Sequence, residues 1–142
     1  MLVSTKGRYA LRMILQLAEN PGKPVRIKEV ASCQDISPKY LEQIMIVLKS
    51  SGFVDSMRGP RGGYTLAKDP SEITVGSIIR AMEGNLSIEC VVSGGASCDR
   101  SPTCKTHMLW NMIDKAVSDI VDTVTLKDMV EWGPDGGPIK IA

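Results

Sequence analysis

Ser37-Pro38-Lys39-Tyr40-Leu41-Glu42-Gln43-Ile44-Met45-Ile46-Val47-Leu48-Lys49-Ser50 is the run of residues that decides the fold of this chain. A serine at the N-cap followed by a proline in the first helical position is a helix start. The proline has no N–H to leave unsatisfied there, and its φ is already helical. At about 100° per residue, Leu41, Ile44, Met45 and Leu48 fall on one side. Lys39, Gln43 and Ile46 fall on the opposite side, with Tyr40 and Glu42 flanking. The first set needs a core. The second set is left facing outward, and Gly52 suits the left-handed residue that follows a helix end.

Working outward, Thr5 to Glu19 has Ala10, Met13, Ile14 and Leu17 at helical spacing, closed by Asn20-Pro21-Gly22. Ile27 to Cys33 predicts a short helix, and Gln34-Asp35-Ile36 a tight connection into the helix at Ser37. Downstream, Phe53-Val54-Asp55-Ser56 and Tyr64-Thr65-Leu66-Ala67 flank Met57-Arg58-Gly59-Pro60-Arg61-Gly62-Gly63, which predicts a β-hairpin around a Gly/Pro-rich loop. Helix, short helix, tight turn, helix, hairpin is the order of a winged helix-turn-helix.

That order implies double-stranded DNA as the partner, with the helix from Ser37 in the major groove. Gln43 can pair with adenine, Glu42 can accept from cytosine N4, and Lys39 can reach guanine or a phosphate. Arg58 and Arg61 on the hairpin loop suit a narrow minor groove. Charge agrees. Residues 1–64 carry ten Lys/Arg against five Asp/Glu, and residues 65–142 seven against eleven, which divides a net charge of +1 into a basic front and an acidic back.

Beyond the hairpin, Ile73-Thr74 opens a helix to about Glu83, with Thr74 as cap and Ile73 facing Ile78 as a hydrophobic staple. Residues 85–103 have no periodicity. The longest helical pattern follows, from about Lys105 to Asp122, with Leu109, Ile113, Ala116, Val117, Ile120 and Val121 as an apolar stripe. The DNA-binding module offers little surface for so long a helix, so the stripe predicts a homodimer interface, with Trp110 in core or interface. Thr125 caps a last short helix to Trp132. The fold class is thus mainly α with a small β-wing. The organisation is a winged helix-turn-helix domain over 1–83, a loop over 84–104, a dimerisation helix and short terminal helix over 105–132, and a tail over 133–142.

Cys90, Cys98, Cys104 and His107 form the pattern C-x7-C-x5-C-x2-H, and His107 is the single histidine. Three thiolates and an imidazole complete a four-ligand site. An iron–sulfur cluster, a Cys3His zinc site and a metal-free set of oxidant-responsive thiols all fit this donor chemistry. Cys33 lies apart, on the short second helix, where it reads as a small core residue.

Three runs resemble the IscR family of bacterial winged-helix transcription regulators: Ser4-Thr5-Lys6-Gly7-Arg8-Tyr9-Ala10, Ile36-Ser37-Pro38-Lys39-Tyr40-Leu41-Glu42-Gln43 and Arg58-Gly59-Pro60-Arg61-Gly62-Gly63-Tyr64. The resemblance extends from Ser4 to about Glu131. It implies a homodimer on palindromic or near-palindromic operators. It implies that Lys39, Tyr40, Glu42 and Gln43 match the DNA-contacting stretch, that Arg58 matches the wing arginine, and that Glu42 helps to distinguish two classes of site. It further implies a 2Fe-2S cluster at Cys90, Cys98, Cys104 and His107; lying between the wing-bearing module and the long helix, such a cluster would order residues 85–104. Relatives that hold a 4Fe-4S cluster use three cysteines and lack the histidine, so His107 favours the 2Fe-2S type over 4Fe-4S, with zinc kept as an alternative occupant. One departure is the gap of seven residues between Cys90 and Cys98, where the family usually has five.

Other classes are disfavoured. No apolar run reaches the ~18–20 residues of a membrane span, and Met1 to Lys6 has no apolar signal core, so a cytoplasmic protein without a membrane partner is expected. No Ser or Cys nucleophile has a base beside it outside the metal set, so no enzyme is expected. A small electron-transfer protein would leave the helix from Ser37 and the hairpin unexplained.

Overall fold

A computed structural model of the chain describes residues 3–88, 91 and 98–133. Helix α1 (Thr5–Ala18) begins at Ser4, whose hydroxyl accepts from the Gly7 N–H. Its Ala10, Met13, Ile14 and Leu17 are buried, as the spacing predicts. Helix α2 (Ile27–Gln34) is joined to α3 (Pro38–Ser50) through Asp35 in the left-handed region, φ +55°. A short polar side chain tolerates this conformation, which lets the connection stay tight. Helix α3 turns Leu41, Ile44, Met45 and Leu48 into the core, each at most 2% exposed. Ser37 occupies its N-cap position without a side-chain capping bond, so the start rests on Pro38.

Strands β1 (Val54–Met57) and β2 (Gly63–Leu66) pair antiparallel, with Val54 opposite Leu66 and Met57 opposite Gly63. Each lies about one residue from its sequence-read position. Phe53 is occupied in closing α3, donating to the Leu48 carbonyl at 3.0 Å. A third segment joins the hairpin: Val25 and Tyr64 exchange backbone hydrogen bonds of 2.9 and 2.8 Å. Gly63 permits that approach, because a Cβ there would lie 2.8 Å from the Val25 carbonyl oxygen.

Helix α4 (Val75–Glu83) is capped by Thr74, which accepts from Ser77 N–H at 3.2 Å, and Ile73 and Ile78 are fully buried as the staple requires. The Glu83 carboxylate fastens the end of α4 to the start of α1. It accepts from Ser4 N–H at 3.0 Å, from Gly7 N–H at 3.1 Å and from the Ser4 hydroxyl. A negative charge at a helix N-terminus is favoured by the helix dipole.

Helix α5 (Lys105–Val121) buries none of its residues, although the body-facing side, including His107, Trp110, Val117 and Val121, is half-covered. Helix α6 (Leu126–Glu131) has the capping box read from Thr125: Asp128 accepts from Thr125 N–H at 2.9 Å, and Asp128 N–H donates to the Thr125 hydroxyl at 3.1 Å. Leu126 is 0% exposed and joins the core formed by α1, α3 and α4. Its N–H donates to Ile73 O at 2.9 Å, and Val75 N–H donates to Val124 O at 2.9 Å. The sequence-drawn division between 1–83 and 105–132 is therefore crossed by α6, which completes the first unit's core.

Cys33 corrects the sequence reading, because it is exposed rather than buried. The inward face of α2 is centred on Ile27, Val30 and Ala31, and Cys33 sits about 110° around the helix from that centre. The tail beyond Gly133 lies outside the described residues.

Candidate nucleic-acid interface and cysteine segment

With its core side filled, α3 presents Lys39, Glu42 and Gln43 to the outside. Tyr40 is divided. Its ring packs edge-on against Tyr9, with centroids 5.8 Å apart and planes at 87°, and it is half-buried against the core. The Arg12 guanidinium lies over the other ring, 5.6 Å from the Tyr9 centroid, and also donates to Gln34 O at 2.7 Å. Tyr40 thus braces α3 on α1, a role that its place in the motif does not reveal.

The wing stands beside α3. Arg58 and Arg61 are exposed on the loop between β1 and β2. A cleft of about 570 Å³ lies between the first turns of α3 and the wing, lined by Arg26, Lys28, Glu42, Met57, Arg58 and Tyr64 among others. The structure brings Glu42 and Arg58 into this one cleft. Lys39, Gln43 and Arg61 do not line it; they stand on the exposed surfaces outside it. Three cations against one carboxylate give the cleft a positive field suited to a phosphate backbone.

Arg26 and Lys28 are additions that the sequence reading missed. Their signal is the alternation Val25-Arg26-Ile27-Lys28, in which the apolar residues turn inward and the cations outward. Arg26 also ties the wing to the body, its guanidinium donating to the Pro60 carbonyl, while its backbone N–H donates to Glu29 at 3.0 Å.

Cys104 is the N-cap residue of α5 and is half-buried. Its Sγ lies 3.0 Å from the Thr106 hydroxyl. That hydrogen bond holds the thiol below its ordinary pKa, helped by the backbone N–H groups of His107 and Thr106 and by the charge of Arg100. The thiolate is the form that ligates metal and attacks oxidants. His107 follows in the first turn of α5, half-buried, and Cys98 is exposed before the 3-10 turn Ser101–Thr103. Among the described residues no three His, Cys, Asp or Glu side chains converge to hold a metal ion. Cys90 lies outside the described residues. Cys104 has the chemistry of one donor. No described helix is long and apolar enough to cross a membrane.

Comparison with known proteins places these features in context. Residues 3–132 match the Rrf2 family model, described as an iron-dependent transcriptional regulator. The chain is 38% identical over 133 residues to the HTH-type transcriptional regulator CymR of Bacillus subtilis (strain 168), covering 93% of this chain and 91% of that protein. The solved structure of CymR, the global cysteine regulator of B. subtilis, superposes with a TM-score of 0.82, covering 92% of this chain and 96% of that one. HTH-type transcriptional regulator IscR of Serratia proteamaculans is 37% identical over 132 residues, 92% of this chain and 79% of its own length. The structure of T. potens IscR matches with a TM-score of 0.74 at 38% identity, covering 92% of this chain and 87% of that one.

Proposed function

The chain belongs to the Rrf2 family of transcriptional regulators, and from that premise we propose that it is a homodimeric, redox- or iron-responsive regulator reading an operator through α3 and the wing. The observation that carries the DNA-reading part is the division of α3. Its apolar side is sealed in the core, while Lys39, Glu42 and Gln43 stand exposed beside a wing bearing Arg58 and Arg61. Helix α3 enters the major groove, with Gln43 on adenine, Glu42 on cytosine N4 and Lys39 on guanine or phosphate. Arg58 and Arg61 enter the adjoining minor groove. Arg26 and Lys28 face flanking phosphates.

Dimerisation runs through α5. Met108, Leu109, Met112, Ile113 and Ile120 are each 39–69% exposed along one helix, an apolar surface that a second copy would cover. A two-fold dimer presents two copies of α3, so its operator is palindromic or nearly so. In a titration with a duplex selected from a random pool, affinity should fall steeply as salt rises, as phosphate neutralisation requires. Undetectable binding at every salt concentration, whatever the redox state, refutes the DNA-reading proposal.

Two readings of the signal each have an observation behind them. His107 in the first turn after Cys104, together with the family's iron-dependent description, favours a 2Fe-2S cluster held by Cys90, Cys98, Cys104 and His107. Such a cluster supplies one-electron redox chemistry and sensitivity to iron supply. The stabilised Cys104 thiolate and the likeness to a cysteine regulator favour direct thiol oxidation. Anaerobic purification with iron, sulfide and zinc counts separates them. Two irons and two sulfides per chain with visible absorbance support the cluster. Metal-free protein whose DNA affinity changes on peroxide treatment supports the thiol reading, and one zinc per chain with no colour and no response removes both.

A further inference from the structure

Ile46 is 68% exposed on α3, the helix that also presents Lys39, Glu42 and Gln43 to the outside. A lone exposed apolar residue needs no explanation, but the position of this one does. Its helix has already filled the core with Leu41, Ile44, Met45 and Leu48, so Ile46 is no displaced core residue. At about 100° per residue, Lys39, Gln43 and Ile46 lie within roughly 60° of one another, with Glu42 at the border of the same face. The neighbouring cation does not screen it: the Lys49 ammonium is turned away to the wing, where it donates to the Ser56 hydroxyl at 2.7 Å.

We propose that Ile46 is a specificity-determining residue that reads the C5-methyl group of a thymine in the major groove. This rests on the reading of α3 as the helix that enters the groove. The argument is chemical. An isoleucine offers neither a donor nor an acceptor, so it cannot satisfy the N4 amine of cytosine, the N6 amine of adenine or the O6 of guanine. Covering those groups strips their water and returns nothing. The thymine methyl is the one apolar group on any major-groove edge. Spacing fits as well. Ile46 lies three residues beyond Gln43, about 4.5 Å further along the axis, against a base-pair rise of about 3.4 Å. The thymine therefore lies one to two base pairs from the base that Gln43 contacts.

The test uses the full-length protein and its own selected duplex. A duplex enriched from a random-sequence pool by the wild-type protein is remade with each thymine replaced in turn by deoxyuridine, which removes the methyl group and leaves every hydrogen-bonding atom. Wild type should lose about fourfold in affinity at one thymine position per half-site, the worth of one buried methyl group. Ile46→Ala and Ile46→Ser should show no loss at that position, keep the losses at other thymines and keep a steep salt dependence. The proposal is overturned if wild type tolerates every uracil substitution, or if the Ile46 variants lose as much as wild type at each one. If wild-type protein enriches no sequence and binds no duplex, the DNA-reading proposal itself fails. If it binds and only the uracil pattern is absent, the role of Ile46 fails alone.

Discussion

Replacing Leu126 by alanine tests whether the end of the chain completes the core of its beginning. Leu126 is 0% exposed, and it is the sole fully buried side chain that α6 contributes among the described residues. Removing a wholly buried leucine side chain beyond Cβ costs about 3–5 kcal/mol, the lost transfer energy plus the cavity left behind. That is a large share of the ~5–15 kcal/mol that holds a domain folded. For a chain of this length it corresponds to a fall in Tm of roughly 6–20 °C. Helix α6 has six residues, too few to persist without its packing, so it should detach as a unit. Urea unfolding followed by circular dichroism at fixed protein concentration gives the measurement, since the proposed dimerisation would make the midpoint concentration-dependent. Val130→Ala, on the same helix but 37% exposed, is the control and should cost below about 0.5 kcal/mol. A Leu126→Ala cost under about 1 kcal/mol refutes the packing argument. So does a variant that unfolds as wild type does at concentrations low enough for monomer and differs only at high concentration, because α6 would then serve an interface between copies alone.

Other perturbations reach the wing and the thiol. Arg26→Ala should lower duplex affinity on all sequences alike and reduce the slope of log affinity against log salt by about 1, the signature of one lost phosphate contact; a titration over several salt concentrations reads it. Gly63→Ala drives a Cβ against the Val25 backbone and should destabilise by about 1–3 kcal/mol, read as a shifted urea midpoint. Thr106→Val removes the hydrogen bond that most favours the Cys104 thiolate. In a Cys33→Ser, Cys90→Ser, Cys98→Ser background, the pH midpoint for Cys104 alkylation should therefore move upward, toward that of an ordinary thiol. An unmoved midpoint would remove Thr106 from the account.

What could be read from the sequence was local. The face of α3 follows from Leu41, Ile44, Met45 and Leu48 recurring at one angle, and the caps at Thr74 and Thr125 follow from side chains placed one turn from the N–H groups they bind. The tie between Val25 and Tyr64 could not be read, since a single bridge between residues 39 apart has no periodicity. The burial of Leu126 was hidden for a similar reason: a six-residue helix shows almost no pattern, and its partner surface lies more than a hundred residues earlier in α1. Cys33 misled because small sulfur side chains are usually buried, a preference that its angle on α2 overrides. In the candidate site, Arg58 and Glu42 were legible from their motifs, whereas their shared cleft with Arg26 and Lys28 depends on the tertiary placement of α2 against the wing.

The long helix has a mechanical consequence. Among the described residues, its ion-paired and hydrogen-bonded ties to the rest of the molecule gather at its C-terminal end, where Arg80 meets Asp122 and Val75 meets Val124. Cys104 sits at the opposite end. Seventeen residues make a lever arm of about 25 Å. A displacement of about 4 Å at the thiol end, within the reach of ordinary loop rearrangement, swings such an arm by roughly 10° about its pivot. A displacement at Cys104 would act with the full length of that arm, and substituting Asp122 at the exposed Arg80–Asp122 pair would loosen the pivot end.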